Sequence, residues 1–364
     1  MTLSHFVHTV KHHWLTIAFV LGFVTDFILL NRVDDVFDNA TLLFYVVLAT
    51  ISMLLLYASI AEKLGTKTSA FFRKISPMLM QYSFGGLFSG MLIFYSRSGA
   101  LLASWPFLLL FISAIYGNEK IRNREQQLVF NILSYFVGLF SYLVMVVPVF
   151  LGHMGPEIFV ASGLLALVLV YGLVQLLAKI IPNFMVLEMR KIVFLIFGLF
   201  VGLNALYFTN VIPPIPLSLQ SISIAHSVVE FGSKENGGGK QYEVQFEKTP
   251  WWRLDLKLRP VFHPTSGNTV ACFTRVFAPA KIDTDIFHVW EYIDNNGSWH
   301  EYFRKSYPIT GKAVNGYRGW TAISVSQSGV WRCSVETARG QVLGRQQFTV
   351  DRTAEPGNLS KRID

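Results

Sequence analysis

The pattern of apolar and polar positions changes abruptly near Pro213 and Pro214. Before this point, long apolar runs alternate with short polar loops, which is typical of a protein that crosses a membrane several times. After it, apolar and polar residues alternate in short runs, which indicates β-strands. The sequence therefore predicts a helical membrane domain over 1–213, a β domain over 214–350 and a flexible tail over 351–364.

Seven apolar runs in the first domain are long enough for transmembrane helices, which need about 20 residues to cross a bilayer core. They cover 14–31, 42–61, 77–96, 99–117, 127–150, 157–179 and 191–212. Only Ser96, Arg97 and Ser98 separate the third from the fourth, which predicts a tight helical hairpin. The first run has no cleavage site of small residues after Leu30, so we interpret it as a retained helix and not as a signal peptide.

Basic residues are concentrated in alternate loops between these runs. They are Lys11, then Lys63, Lys67, Arg73 and Lys74, then Lys120, Arg122 and Arg124, and then Lys179, Arg190 and Lys191. By the positive-inside rule the N-terminus is cytoplasmic, and seven spans place the β domain in the periplasm or outside the cell. Many of the basic residues behind the formal charge of +8 lie in these loops, and we expect no nucleic acid as a partner.

Several short strands are predicted in the second domain. They lie near 221–231, 241–247, 252–260, 268–277, 287–293, 299–303, 317–325, 330–337 and 341–350. Asn296-Gly297 between two β-rich runs is a strong hairpin signal. Short strands separated by turns are typical of a β-sandwich, and we expect an immunoglobulin-like one.

The chain has two cysteines, Cys272 and Cys333, and strand alternation places both on an inward face. Trp290 lies between them in the sequence, which gives the Cys…Trp…Cys order of immunoglobulin domains. Trp331 occupies the position where those domains carry a characteristic tyrosine. An exterior compartment permits a disulfide, but spacing alone leaves two packed free thiols equally open.

A resemblance to a known family rests on short motifs in order along the second domain. They are Phe287-His288-Val289-Trp290, Asn296-Gly297-Ser298-Trp299, Gly319-Trp320, Gly329-Val330-Trp331-Arg332, Gly340-Gln341-Val342-Leu343-Gly344 and Phe348-Thr349-Val350. With them, the stretch from about 285 to 350 resembles the bacterial DUF2914 family, and the apolar half resembles the multi-span regions often joined to it. The resemblance implies an envelope protein with an exterior β domain in the bacterial inner or cytoplasmic membrane, and it implies no activity.

Asp26 is the most conspicuous single residue because it lies inside the first predicted span. An ionisable group at membrane depth usually faces protein or water. Our topology places Arg32, Arg97 and Asn204 at the same level. One interpretation is a polar site for transport or chemistry. The other, which we favour because no second buried carboxylate accompanies it, is a structural ion pair that locks helices together.

Other polar and small residues in the spans suit helix packing. Gln81 and Asn131 are expected to form hydrogen bonds between helices. Gly85, Gly86 and Gly90 fit close contact between two helices, and no nucleotide-binding motif surrounds them.

Exposed aromatic rings on a β-sandwich are suited to stacking on sugars. Trp299 and Trp320 are the candidates for such stacking, with core packing as the alternative. Trp251 and Trp252 suit an aromatic belt near the lipid headgroups instead.

The sequence has no complete catalytic motif and no metal-ligand spacing, so we expect neither a metal nor a cofactor. We expect His288 to be a hydrogen-bonded core residue. The leading hypothesis is a non-enzymatic envelope protein, with membrane lipid around its helices and a β domain that binds a ligand, glycan or protein partner. The alternative is a membrane-embedded transporter or enzyme that uses Asp26.

Overall fold

The computed structural model describes residues 3–30, 36–96, 105–121, 124–212, 217–231, 241–248, 259–265, 269–278, 284–309 and 316–364. These residues form two compact units, a helical unit and a β unit. Some predictions concern residues outside this set. They involve Arg32 and Arg97 as partners of Asp26, Trp251 and Trp252 as an aromatic belt, and residues 252–258 of the predicted strand at 252–260.

The described part of the first unit contains seven α-helices. They are α1 (Leu3–Leu29), α2 (Val36–Ile60), α3 (Thr66–Ser96), α4 (Trp105–Lys120), α5 (Arg124–Leu151), α6 (Pro156–Ile180) and α7 (Pro182–Phe208). Each predicted run overlaps one of these helices. Residues 97–104, which hold most of the predicted hairpin between the third and fourth runs, are not described.

Four of these helices contain a stretch long and apolar enough to cross a membrane. The stretches are Val36–Ile60, Gln127–Leu151, Pro156–Ile180 and Pro182–Phe208. In α1 and α4 the apolar stretches among the described residues are His13–Asp26 and Leu108–Asn118. Among the described residues, seven transmembrane helices are therefore not supported. The physical reason in α3 is its polar content, since Ser76, Gln81 and Ser83 dilute its apolar residues.

Apart from α4, the helices begin earlier than their predicted apolar runs, and α3 and α7 are two examples. α3 begins at Thr66, 11 residues before Pro77, so much of the predicted basic loop is its polar first part. α7 begins at Pro182, and only Ile181 separates it from the end of α6 at Ile180. Proline suits the first helical position because the amide it lacks has no partner there.

Glycines let α1 and α3 approach each other closely. A Cβ added to Gly85 would overlap the backbone carbonyl of Phe19, and one added to Gly22 would overlap that of Tyr82. The predicted packing role of Gly85 is therefore confirmed. At Gly86 an added Cβ would meet the ring of Tyr45 from α2.

The described part of the second unit contains eleven strands. They are β1 (Ser218–Ala225), β2 (Ser227–Phe231), β3 (Gln241–Glu247), β4 (Val261–Phe262), β5 (Thr269–Phe277), β6 (Thr284–Ile293), β7 (Trp299–Ile309), β8 (Tyr317–Ser324), β9 (Gly329–Thr337), β10 (Val342–Val350) and β11 (Leu359–Ile363). The strand orders are β1-β5-β8 in sheet 1, β4-β10-β9-β6-β7 in sheet 2 and β11-β3-β2 in sheet 3.

Sheet 1 is covered on both faces, which a two-layer sandwich does not predict. One face of β5 contributes Val270 and Cys272 to a core shared with sheet 2. The other face contributes Ala271 and Phe273 to a core shared with Val244 and its neighbours in sheet 3. Since successive side chains point to opposite faces, almost every residue of β5 is buried.

Two local predictions have different outcomes. The hairpin at Asn296-Gly297 is confirmed, since β6 and β7 pair in antiparallel register and Gly297 has φ +80°. The flexible tail over 351–364 is wrong, because β11 pairs with β3 from Leu359 to Ile363. Leu359 is 37% exposed and Ile363 is 65% exposed, so neither belongs to a core. Backbone pairing holds this strand, together with an ion pair between Lys361 and Glu243 and the packing of Arg362 over the ring of Phe246. The polar side chains of 359–364 do not by themselves indicate a strand.

Candidate functional site

Asp26 lies at the centre of a small polar cluster between α1, α2 and α3. Its carboxylate accepts hydrogen bonds from the hydroxyl of Tyr45, at 2.7 Å, and from that of Ser89. Ser89 is also within 2.6 Å of the carbonyl oxygen of Gly86. Because Asp26 is fully buried and both carboxylate oxygens are occupied, this arrangement fits a role in joining three helices.

Asn204, predicted at the same level as Asp26, is not one of its partners. The amide of Asn204 donates to the carbonyl of Phe200, one turn earlier in its own helix, at 2.8 Å. The structure therefore brings Tyr45 and Ser89 to Asp26 instead. No local pattern signals these partners, because they lie 19 and 63 residues from Asp26 in the sequence.

A second polar cluster in the helical unit borders a cavity of about 290 Å³. Asn118 donates to Gln81 at 2.9 Å, Gln81 makes a long 3.5 Å contact with Asn131, and Asn131 donates to Tyr57 at 3.1 Å. The prediction that Gln81 and Asn131 join helices is confirmed. The cavity beside them was not foreseen, since its lining comes from most of the helices.

Arg73 also lines this cavity, near the start of α3. Its Nε and Nη2 atoms donate to the carbonyl of Ser59 at 3.0 and 2.8 Å, which fixes the guanidinium plane. Glu62 lies 3.3 Å from Nη2 and is largely exposed to solvent. Arg73 is the one charged side chain among the described residues that line the cavity.

In the β unit, Cys272 and Cys333 form a disulfide between β5 of sheet 1 and β9 of sheet 2. Their Cα atoms are 6.6 Å apart, and both side chains are fully buried. Trp290 lies opposite Cys333 in the ladder between β6 and β9 and belongs to the same core. The bond closes a separation of 61 residues, for which a stabilisation of about 2–4 kcal/mol is typical.

Beside the disulfide, His288 joins a buried network of hydrogen bonds. Its Nε2 atom is 2.8 Å from the hydroxyl of Thr274, and its Nδ1 atom is 3.0 Å from that of Thr321. Trp290 donates to Thr321 at 2.9 Å, and Tyr307 lies 2.9 Å from Thr274. The prediction that His288 is a hydrogen-bonded core residue is confirmed.

One assignment of protons uses every donor in this network. Thr274 donates to the carbonyl of Gly319, so its oxygen accepts from Tyr307 and from Nε2–H of His288. Thr321 accepts from Trp290 and donates to the bare Nδ1 atom. His288 must then be neutral, and burial lowers its pKa to about 3, in agreement with that assignment.

The ligand atoms of Cys272, His288 and Cys333 lie within 4.8 Å of one another, a grouping that suits a metal ion in other proteins. Here the two sulfur atoms are bonded to each other, and both nitrogens of His288 face threonine hydroxyls. The grouping therefore serves the core of the β unit.

A further cluster in the β unit was missed by sequence reasoning. Glu247, at the end of β3, lies 3.0 Å from Nε2 of His226 and 2.7 Å from Nδ1 of His263, and it accepts from the backbone amide of His263 at 2.7 Å. Burial acts to raise the pKa of Glu247, but these hydrogen bonds outweigh burial and lower it. The cluster fastens segments far apart in sequence, so no motif announces it.

The two tryptophans proposed for sugar stacking differ in availability. The guanidinium of Arg332 lies 4.1 Å from the ring centroid of Trp299 and covers one face of that ring. Arg332 is held there by two hydrogen bonds to Glu291. Trp320, on the edge strand β8, is 42% exposed. Trp320 is therefore the better candidate.

Comparisons with known proteins assign only part of the chain to a family model. No curated protein matches the sequence. Among solved structures, the Pseudomonas fluorescens alkylpurine DNA glycosylase AlkC, bound to DNA containing an abasic site analog, aligns with 89% of this chain and 100% of its own, at 12% identity. The TM-score is 0.21, too low to support any conclusion about fold. Residues 283–350 match the model of the DUF2914 family, which is described as a protein of unknown function.

Proposed function

We propose that this chain is an integral protein of the bacterial cell envelope, whose helices anchor an exterior β unit that binds a glycan or protein partner. The observation that carries the proposal is the buried disulfide between Cys272 and Cys333. Structural disulfides form and persist in oxidising compartments, which for a bacterium lie outside the cytoplasmic membrane.

The charges of the loops support the same orientation independently. Basic residues in alternate loops put the N-terminus inside, and an odd number of spans carries the β unit outside. In this proposal α1, α3 and α4 also cross the membrane. The 16 residues of α4 rise about 24 Å at 1.5 Å per residue, which is most of the roughly 30 Å of a bilayer core.

The proposal includes an immunoglobulin-like sandwich formed by sheets 1 and 2. A disulfide between two sheets, with a buried tryptophan beside it, is a hallmark of that fold. Cys272, Cys333 and Trp290 supply these features here. Sheet 3 is then an addition that covers the outer face of sheet 1.

Orientation is tested by fusing a reporter to the C-terminus of the full chain. Alkaline phosphatase requires an oxidising compartment, whereas green fluorescent protein requires the cytoplasm. We expect phosphatase activity from the first fusion and no fluorescence from the second. Fluorescence without phosphatase activity would place the β unit inside and end this proposal.

Binding is tested by sedimentation of the full-length protein with insoluble cell-wall glycan. We expect Trp320→Ala to weaken binding at least tenfold, because loss of ring stacking is costly. Phe231→Ala is a matched control, since Phe231 is 38% exposed and lies in sheet 3. Equal binding by the two variants would exclude Trp320 as the contact and favour a protein partner at another surface.

The alternative of transport or catalysis at Asp26 has less support. Tyr45 and Ser89 already donate hydrogen bonds to the two carboxylate oxygens of Asp26. Asp26 is not among the residues that line the cavity described above.

A further inference from the structure

The cavity in the helical unit has the size and lining of a small-ligand site. Its volume of about 290 Å³ is near the lower end of the usual range for such sites. Most of the lining is apolar, including Met80, Leu128 and Phe184, and a few polar groups are placed among these residues. Ligand sites typically combine an apolar lining with a few polar groups that orient the ligand.

The polar groups of the lining are rich in hydrogen-bond donors. Tyr57 accepts from Asn131, and its own hydroxyl hydrogen has no partner among the described residues. Asn118 and Asn131 each donate one amide hydrogen to a protein group, and the second hydrogen of each amide has no acceptor in the part of the chain that the structure describes. An occupant with several oxygen acceptors would match these donors.

The charge of the lining selects an anion. Arg73 contributes a positive charge, and the described lining contains no carboxylate. Nε and Nη2 of Arg73 donate to the carbonyl of Ser59, and Nη2 also lies 3.3 Å from the exposed Glu62, so Nη1 is the guanidinium nitrogen that has no partner among the described residues. Hydrogen bonds from a guanidinium to an oxyanion are roughly twice as strong as those between neutral groups.

Nearby basic side chains favour the same kind of ligand. Lys67 lies six residues before Arg73 on α3 and Lys74 directly after it, and both lysines are exposed. Such a group of cations attracts phosphate-bearing molecules, whether they are lipids of the membrane surface or solutes.

We propose that this cavity binds a phosphate group, through Arg73 and the amide and hydroxyl donors of Asn118, Asn131 and Tyr57. Phosphate has more acceptor oxygens than a carboxylate and therefore better matches donors from four residues. The source is either the headgroup of an anionic lipid or a free phosphate. This site is independent of the exterior function proposed for the β unit.

The test is thermal unfolding of the full-length protein in a neutral detergent, because a ligand that binds only the folded state raises the midpoint. The probes are inorganic phosphate, phosphatidylglycerol and, as a neutral control, phosphatidylcholine. We expect a saturable rise with one of the two anionic probes. A rise with inorganic phosphate assigns a free phosphate, and a rise with phosphatidylglycerol alone assigns a lipid headgroup.

Two variants connect that rise to the cavity. Arg73→Met should increase the half-saturating concentration at least tenfold, whereas Lys67→Met, which removes one exposed charge outside the cavity from the same helix, should change it by no more than about twofold, because salt screens exposed charges. Asn118→Ala keeps the charge and should weaken binding severalfold even if Arg73→Met does not fold. The proposal is overturned if neither anion stabilises the wild type, if phosphatidylcholine acts equally, or if Asn118→Ala and Arg73→Met both bind like Lys67→Met.

Discussion

The β unit and the helical unit both bury networks of polar side chains, and the two networks differ in how completely they are satisfied. Around His288, every donor from Trp290 through Thr321 and Thr274 has an acceptor. In the helical unit, the amides of Asn118, Gln81 and Asn131 border a cavity, and each keeps one donor hydrogen without an acceptor among the described residues.

This difference distinguishes a polar network with a structural role from one that can bind a ligand. A closed network in a packed core holds sheets in one register, and loss of any member leaves another group unsatisfied at a cost of about 1–3 kcal/mol. A network with free donors beside a cavity has capacity for a ligand. Buried polar side chains therefore have a structural role in the β unit and a capacity for ligand binding in the helical unit.

The largest effect is expected from removing the covalent bond beside the closed network. Replacing both Cys272 and Cys333 with alanine should lower the free energy of unfolding of the β unit by about 2–5 kcal/mol. Chemical denaturation with and without reductant checks this. Reductant should destabilise the wild type and leave the double variant unchanged; an equal response of both proteins would show that the bond contributes nothing.

In the helical unit, the strongest constraint is the close approach of α1 and α3. Gly85→Ala would force the added Cβ against the carbonyl of Phe19, so we expect a loss of about 2–3 kcal/mol through overpacking. Gly198→Ala is the matched control, since nothing lies near its added Cβ. Thermal unfolding in detergent should show a lowered midpoint only for the first variant, and similar midpoints would disprove the close contact.

Thr321 is the best place to open the closed network. Thr321→Val keeps the shape of the side chain but removes the partner of both Trp290 and His288, for an expected loss of about 1–3 kcal/mol. Thr321→Ser restores the hydroxyl and should recover most of that loss. If valine and serine were equally stable in denaturant titrations, the hydrogen bonds would carry no net stability.

Much of the element order was predictable from the sequence, but the networks were not. Long apolar runs and the Asn296-Gly297 turn are local signals, and they found helices and a hairpin at the correct places. Sheet 3 was missed as a layer because β11 looks like a polar tail and pairs through its backbone. The partners of Asp26 and Glu247 come from distant segments, and their contacts exist only after the chain has folded.

Acid should weaken the closed network through His288. Its pKa in the folded state is about 3, below the value of about 6.5 in the unfolded chain, so the unfolded state takes up the proton first. Stability from this group is therefore present above pH 6.5 and falls by up to about 1.4 kcal/mol per pH unit below it. Denaturation of the wild type and of His288→Gln between pH 7 and pH 5 isolates this contribution from the carboxylates. Parallel pH profiles of the two proteins would contradict a neutral His288.

The smallest effect is expected from Asp26→Asn in the helical unit. Asparagine can accept from Tyr45 through its oxygen and donate to Ser89, which then donates to the carbonyl of Gly86. We therefore expect a loss below about 1 kcal/mol in thermal unfolding. Asp26→Leu should lose about 2–4 kcal/mol, because the hydroxyl of Tyr45 is left buried without an acceptor.

The Asp26 variants also test whether the cluster around Asp26 is purely structural, as the fully hydrogen-bonded network around His288 is. A structural lock requires hydrogen bonds and not a charge, so Asp26→Asn should keep both stability and the stabilisation by phosphate-bearing probes. If Asp26→Asn folds normally but loses that stabilisation, the carboxylate takes part in function. The cluster around Asp26 would then be functional, like the network of Gln81 and Asn131. The helical unit would hold one extended functional site, and not a structural cluster that is separate from the cavity.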